Sequence, residues 1–283
     1  MTDAARPDET YTHGHHASVV GQHQRRTAGE AAAFLLPALA PSDRVLDFGC
    51  GPGTITTGLA RAIGGSADEQ AGGGAGSVVG LDLVPEVLRV ARDHAAEQSV
   101  TNVQFTHASV YALPFAGESF DVAYGHQVLQ HLADPVAALR EAGRVLRPGG
   151  LVAVRDVDYA TMTWWPDNAR LTRFIEVYTA VAACNGGDAN AGRRIPSWLR
   201  DAGYVDLAIS SSTWTFADRD SVLNWGDSWA DRVTHSAVGD QAVEYGFATA
   251  EELAEIATGW REWARDPEAF FTFLHVEGLG RKL

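Results

Sequence analysis

Asp47 closes the short apolar run Arg44–Phe48 and stands just ahead of Gly49-Cys50-Gly51-Pro52-Gly53. Glycines at such a turn let backbone amides approach a ligand closely, with a helix N-terminus behind them. The dinucleotide fingerprint requires a third glycine five positions after the first, and Thr54 occupies that place. A carboxylate at Asp47 would repel a pyrophosphate but suits a ligand carrying ammonium or sulfonium charge. Asp82 ends Val78-Val79-Gly80-Leu81-Asp82, where it can accept both hydroxyls of a ribose. It also fits a capping role before a helix that starts at Pro85.

Groups able to move protons lie elsewhere. Tyr11-Thr12-His13-Gly14-His15-His16 gathers three histidines and a tyrosine, and unperturbed histidines change charge near neutral pH. The same hexapeptide fits a solvated tail. As a zinc site it lacks a second ligand cluster at suitable spacing. Gln130-His131, Asp156 and Asp158 follow later apolar runs. Trp164, Trp165, Trp225 and Trp229 fit either an aromatic substrate wall or packing between helices.

The elements that must position these groups are legible from periodicity. Ser18 to Leu39 reads as a helix, with Val20, Ala31, Phe34, Leu35 and Leu39 at helical spacing. Strands are expected at Arg44–Phe48, Val78–Asp82, Val103–Ser109, Phe120–Tyr124 and Leu151–Val157. Helices fall between them at Ile55–Ile63, Pro85–Glu97 and from Asp134-Pro135 to the terminator Arg147-Pro148-Gly149-Gly150. That alternation specifies α/β architecture with a parallel, doubly wound sheet. Gly64 to Gly76 reads as a flexible loop and Asn185–Gly192 as a mobile polar one. Asn168–Cys184, Pro196–Ala202 and most of Ser221–Arg265 read as helical, and Tyr204–Phe216 and Ala269–Val276 as strands.

Composition narrows the function. The chain of 283 residues carries 36 acidic and 22 basic side chains, a net charge of −14, which argues against a phosphate-gripping nucleic-acid binder. Two cysteines, Cys50 and Cys184, build neither a disulfide framework nor a thiolate cage, and they disfavour arsenic-type thiol chemistry. No signal core or membrane-spanning run is apparent, so a cytoplasmic protein is expected. All eight tryptophans follow residue 160, which suggests a general cofactor region followed by substrate-specific additions.

Taken together, several segments resemble the class I S-adenosylmethionine-dependent methyltransferases. Val45-Leu46-Asp47-Phe48-Gly49-Cys50-Gly51-Pro52-Gly53 is similar to the family's first motif, and Gly80-Leu81-Asp82-Leu83 to its ribose-binding acidic motif. Ala108-Ser109-Val110 with Leu113-Pro114-Phe115 resembles the adenine-contacting segment. Phe120-Asp121 through Val128-Leu129-Gln130-His131-Leu132 resembles the motif after strand four, and Leu146-Arg147-Pro148-Gly149-Gly150 the turn before strand five. Ser109 departs from the pattern, because many relatives carry an aspartate there for the adenine amino group. Within the family the chain is similar to the small-molecule group that includes the quinone-biosynthesis C-methyltransferases.

The resemblance implies a Rossmann-like seven-stranded sheet with the last strand antiparallel and helical insertions forming a substrate cap. Three regions follow: a lid and helix over 1–40, a cofactor-binding core over 41–160, and the rest of the sheet with cap insertions near 161–192 and 218–265. It implies S-adenosyl-L-methionine as cofactor and S-adenosyl-L-homocysteine as product. Cofactor contacts are expected from Tyr11, Arg26, Asp47, Gly49, Gly51, Asp82, Leu83, Ala108, Ser109, Val110 and His126, with Arg26 facing the cofactor carboxylate or, alternatively, lying idle on a helix surface. Catalytic candidates are His16, Tyr11 and His131. No metal is expected. The expected reaction is in-line methyl transfer to a small aromatic or apolar acceptor, with reacting atoms held roughly 3–3.5 Å apart. Partners are limited to that small molecule, without nucleic acid or membrane, in a monomer or homodimer. Rival readings are a non-catalytic cofactor-binding homologue, a nicotinamide-dependent reductase and a nucleic-acid methyltransferase.

Overall fold

The computed structural model describes Thr12, residues 25–64 and residues 76–283. The expected site residues Tyr11 and His16 lie outside them, as do His13, His15, the start of the helix expected from Ser18, and most of the Gly64–Gly76 segment.

The sheet is built outward from β1 (Arg44–Phe48), whose Val45, Leu46 and Phe48 are fully buried. Burial on both faces is the signature of a parallel strand covered by helices above and below. β1 pairs in parallel with β2 (Ser77–Asp82) on one side and β4 (Phe120–His126) on the other. β3 (Val103–His107) lies beyond β2, and β5 (Leu146–Trp165) beyond β4. β7 (Phe270–Arg281) runs antiparallel between β5 and β6 (Val205–Phe216), completing a seven-stranded sheet in the order β3-β2-β1-β4-β5-β7-β6. Strand order reverses between β1 and β4, so the crevice at their carboxyl ends is where such a sheet binds ligands.

Helices alternate with these strands. A short α1 (Ala28–Ala31) precedes β1, and α2 (Thr54–Ala62), α3 (Pro85–Glu97) and α4 (Pro135–Val145) follow β1, β2 and β4. α3 opens on a proline, and α4 on Pro135 behind Asp134, whose carboxylate accepts the Ala137 N–H at 2.9 Å. α5 (Ala169–Cys184) and α6 (Ile195–Asp201) lie between β5 and β6, and α7 (Arg219–His235), α8 (Ala237–Glu244) and α9 (Ala250–Arg265) between β6 and β7. α5 and α7 to α9 share an aromatic core with the outer ends of β5 and β7, where Trp260 is fully buried among Phe174, Trp229, Trp263 and Phe271. This is the cap. No helix among the described residues is long and apolar enough to cross a membrane.

Four expectations need correction. The described part of Ser18–Leu39 is not one helix: α1 ends at Ala31 and a 3-10 turn follows at Leu36–Ala38, where Pro37 cannot supply the N–H that an α-helix needs. β5 runs on to Trp165 instead of stopping at Val157, because β7 runs alongside it to Phe270 and pairs Trp164 with Phe271 and Trp165 with Phe270. β7 likewise continues past Val276 to Arg281. The segment Asn185–Gly192 is held rather than mobile: Asn185 Nδ2 donates to Thr12 and Gln241, the Tyr245 hydroxyl donates to Asn185, and Asn190 Oδ1 accepts the Ala160 N–H.

Candidate active site

The carboxyl ends of β1, β2 and β3 form a cradle. After Asp47 the backbone turns through Gly49 and Gly51, both at positive φ (72° and 53°). The Gly49 and Cys50 amides donate to Leu81 O at 2.7 and 2.9 Å, tying the turn to β2. Asp82 is shared: one oxygen accepts the Gly51 N–H at 2.9 Å and the other the Val84 N–H at 3.1 Å. The Ala108 amide donates to Asp82 O, and the His107 ring bonds Leu83 O at 2.9 Å. Thus Asp47, Gly49, Gly51, Asp82, Leu83, Ala108, Ser109 and Val110 converge on one rim. The Ser109 hydroxyl accepts the Tyr111 N–H at 3.2 Å and keeps its own proton to donate. Leu83, a large apolar side chain, is 55% exposed on this rim.

Asp47 is buried and accepts the Thr56 hydroxyl at 2.6 Å. Burial lifts its carboxyl to about 7, the Thr56 bond lowers it, and the Asp82 charge adds to the rise. Cys50 is buried beside it, and its thiol is pushed well up by the same burial. Cys184 is exposed, and neither thiol is paired.

A second group of residues lies across the crevice. Gln127, at positive φ (53°) directly after β4, donates from Nε2 to His275 Nε2 at 2.7 Å and accepts from Arg26 at 2.7 Å. Arg26 is brought there by the segment ahead of α1, which the Tyr124 hydroxyl anchors by donating to Ala31 O at 2.8 Å. The His126 ring is buried beside Trp214 and His275. Beneath them Arg155 pairs with Glu277 at 3.3 Å and lies 5.1 Å from the Trp214 ring centre. Ser210 and Ser212 donate to the same Glu277 carboxylate.

His131 lies near this group, with Gln130 Nε2 3.1 Å from its Nε2. Burial, assisted by the Arg26 charge, lowers its pKa to about 3, so the ring is neutral at ordinary pH. Asp156 is fully buried, accepts the Leu129 and Gln130 amides at 3.2 and 3.4 Å, and is lifted to about 8, mainly by burial. Asp158 is buried in a two-pronged bond to Arg193, so neither aspartate is solvated in a loop.

A narrow cleft, partly open to solvent, lies between Gln127 and the cap. Tyr159, Trp214, Trp225, Trp229 and Phe273 give it aromatic walls, and Arg26 and Arg232 stand among them. Of the four tryptophans expected to form a wall, Trp225 and Trp229 do so. Trp164 instead stacks on Phe271, and Trp165 is 53% exposed.

The sequence model of the Methyltransferase domain family matches residues 39–203. The chain is 31% identical over 270 residues to an uncharacterized methyltransferase of Schizosaccharomyces pombe, with 92% of each chain covered. The chain belongs to the class I S-adenosylmethionine-dependent methyltransferases. Over 108 residues it is 40% identical to a ubiquinone biosynthesis O-methyltransferase of Ruegeria pomeroyi, 38% of each. Its fold is similar to that of a candidate methyltransferase from Bacillus halodurans, with a TM-score of 0.55 at 19% identity, covering 90% of this chain and 99% of that one.

The cradle fits the cofactor of this methyltransferase family on its own chemistry. Asp47 is a buried carboxylate whose hydrogen bond comes from a neutral hydroxyl, a site that a cation stabilises. A Cβ added at Gly51 would meet no atom within 4 Å, so the turn faces open space. Among the described residues no cluster of three metal-ligating side chains occurs. The motifs had not singled out Gln127 or Arg232 of this methyltransferase. Gln127 sits inside a quoted motif, between His126 and Val128, and Arg232 interrupts the apolar stripe Val222, Trp225, Trp229 and Val233 of α7. A charge on such a stripe is the signal that could have found it.

Proposed function

We propose that this methyltransferase acts on a small aromatic or apolar acceptor that enters the cleft walled by Trp214, Trp225 and Trp229. The observation carrying this reading is the position of the cleft: Gln127, which borders it, directly follows β4, the strand paired with β1, and β1 leads into the glycine turn of the cofactor cradle. In the proposed arrangement the Asp82 carboxylate accepts the ribose hydroxyls while holding the Gly51 amide, and Leu83 and Val110 flank the adenine. The Ser109 hydroxyl and the Ala108 backbone meet its edge. Asp47 faces the cationic end of the cofactor, and Arg26, oriented by Gln127, its carboxylate. His126 supports this end through its backbone.

S-adenosylmethionine, when bound, supplies a sulfonium-activated methyl group for an in-line displacement. The chain's contribution is mainly to hold the acceptor in line and keep water out, effects that account for much of the rate in such reactions. His131, held neutral by burial with its pKa lowered to about 3, is a weak base and is assigned to orienting the acceptor by hydrogen bonding, which suits an acceptor that reaches the site already ionised, such as a phenolate or enolate. The unpaired thiols suit a reducing compartment such as the cytoplasm.

The test is transfer of labelled methyl from S-adenosylmethionine to a panel of phenols, quinols and enolisable ketones. Turnover on at least one class, lost in Asp82→Ala together with cofactor affinity, supports the reading. Tight cofactor binding with no transfer to any of them would favour a non-catalytic homologue.

A further inference from the structure

β7 presents Phe271, Phe273, His275 and Glu277 in alternation to one buried face of the sheet. His275 interrupts an aromatic row. Its ring is fully buried, 5.0 Å from the Phe273 ring, 4.5 Å from Trp214 and 6.1 Å from His126. A phenylalanine would pack there with no polar atom to satisfy. The imidazole instead leaves Nδ1 buried without a hydrogen-bond partner, a costly arrangement that packing does not explain.

The other ring nitrogen supplies the reason. His275 Nε2 lies 2.7 Å from Gln127 Nε2, and Gln127 Oε1 accepts from Arg26 at 2.7 Å. A guanidinium has donors only, so the Gln127 oxygen must face Arg26 and the amide nitrogen must face His275. That nitrogen also only donates. His275 Nε2 therefore carries a lone pair, and the ring proton sits on Nδ1. Burial, with the Arg155 and Arg26 charges adding to it, holds the ring well below the ordinary histidine pKa, so the neutral form that the geometry requires is the form present. We propose that His275 is a positioning residue: as the Nδ1–H tautomer it fixes the Gln127 amide, and that amide sets the guanidinium of Arg26 at the cleft. With no acceptor at this place the amide could turn over and offer its N–H groups to the guanidinium, donor against donor. The consequence falls on the cofactor carboxylate, because Arg26 faces it in the reading above, on which this part of the step rests.

The test reads the tautomer directly in the full chain, by long-range proton–nitrogen NMR correlation with the histidines isotope-labelled. The His275 signal, assigned by its loss in His275→Gln, is expected to show a protonated Nδ1 and an unprotonated Nε2. Gln127→Glu replaces the facing donor with an acceptor and should move the proton onto Nε2. Calorimetric titration then compares S-adenosylhomocysteine with methylthioadenosine, which lacks the amino-acid end. His275→Phe should weaken S-adenosylhomocysteine about tenfold, the scale of one charge-assisted hydrogen bond, and leave methylthioadenosine unchanged. His275→Gln, whose carbonyl can stand near the lost Nε2, should keep most of the affinity. The wild-type tautomer stands whether or not a variant folds. A proton on Nε2 in the wild-type chain, or an S-adenosylhomocysteine affinity that falls no further than that of methylthioadenosine in folded His275→Phe, would overturn the proposal. The Nδ1–H tautomer in a chain that binds neither nucleoside would uphold the positioning role and sink the cofactor assignment.

Discussion

The glycine turn after β1 makes two substitutions with different consequences. At Gly49 a Cβ would stand 2.3 Å from Val128 Cγ2, and φ is +72°. At Gly51 the Cβ would meet nothing within 4 Å, and φ is +53°. Left-handed backbone costs a non-glycine residue about 1–2 kcal/mol, and forcing a methyl into packed side chains costs about 1–3 kcal/mol more. Gly49→Ala should therefore lose about 2–5 kcal/mol of unfolding free energy, a large share of the total for a typical domain. Gly51→Ala should lose only the torsional part, about 1–2 kcal/mol. Its methyl instead enters the open space of the cradle, so S-adenosylhomocysteine affinity should fall at least tenfold, about 1.4 kcal/mol. Urea denaturation reads the first effect and calorimetric titration the second. Combining Gly49→Ala with Val128→Ala should return the steric share as a coupling energy of about 1–3 kcal/mol. Equal destabilisation by the two alanines, or unchanged cofactor affinity in Gly51→Ala, would refute the assignment of the open side of the turn to the cofactor.

Other expectations follow from the buried charges and the cap. Asp47 titrates at about 7 in the folded apo chain against an ordinary 3.8, so the folded state retains a proton that the unfolded state has lost. Stability from this group is therefore fully present below about pH 4 and lost as pH rises toward 7, worth roughly 4 kcal/mol. Asp47→Asn should gain on the wild type by that amount between pH 4 and pH 8 in denaturation experiments; a difference flat with pH would contradict the burial argument. Arg155→Met should cost about 3–5 kcal/mol, because it strands Glu277 without its buried partner, whereas adding Glu277→Leu should recover most of the loss. A double variant no more stable than the single one would point to a role beyond the ion pair. Trp260→Ala should remove about 3–5 kcal/mol through a cavity in the cap. A loss below about 1 kcal/mol would show that the cap closes over the gap.

Local patterns made much of the nucleotide half legible. Arg44–Phe48 and Pro85–Glu97 were bounded by their own glycine and proline signals, and the structure has those limits. Asp47, Asp82 and Ser109 were readable because each ends or follows a strand, and parallel pairing then brings strand ends together. What escaped depends on partners far along the chain. β5 reads as ending at Val157 because only β7, more than a hundred residues later, extends its ladder to Trp165. Asn185–Gly192 looks solvated until Thr12, Gln241 and Tyr245 supply its hydrogen bonds. Gln127 and Arg232 carry no motif of their own, and their meeting across one cleft is a property of the cap as packed. Histidine chemistry is equally contextual, since His131 has an ordinary side chain and an environment that holds it neutral.

The most direct test of the account is calorimetric titration of the purified chain with S-adenosylmethionine, S-adenosylhomocysteine and NADH. The first two should bind with micromolar dissociation constants, about −8 kcal/mol each, and NADH should give no heat. Binding of NADH alone, or silence from both sulfur nucleotides with a folded protein, would contradict it.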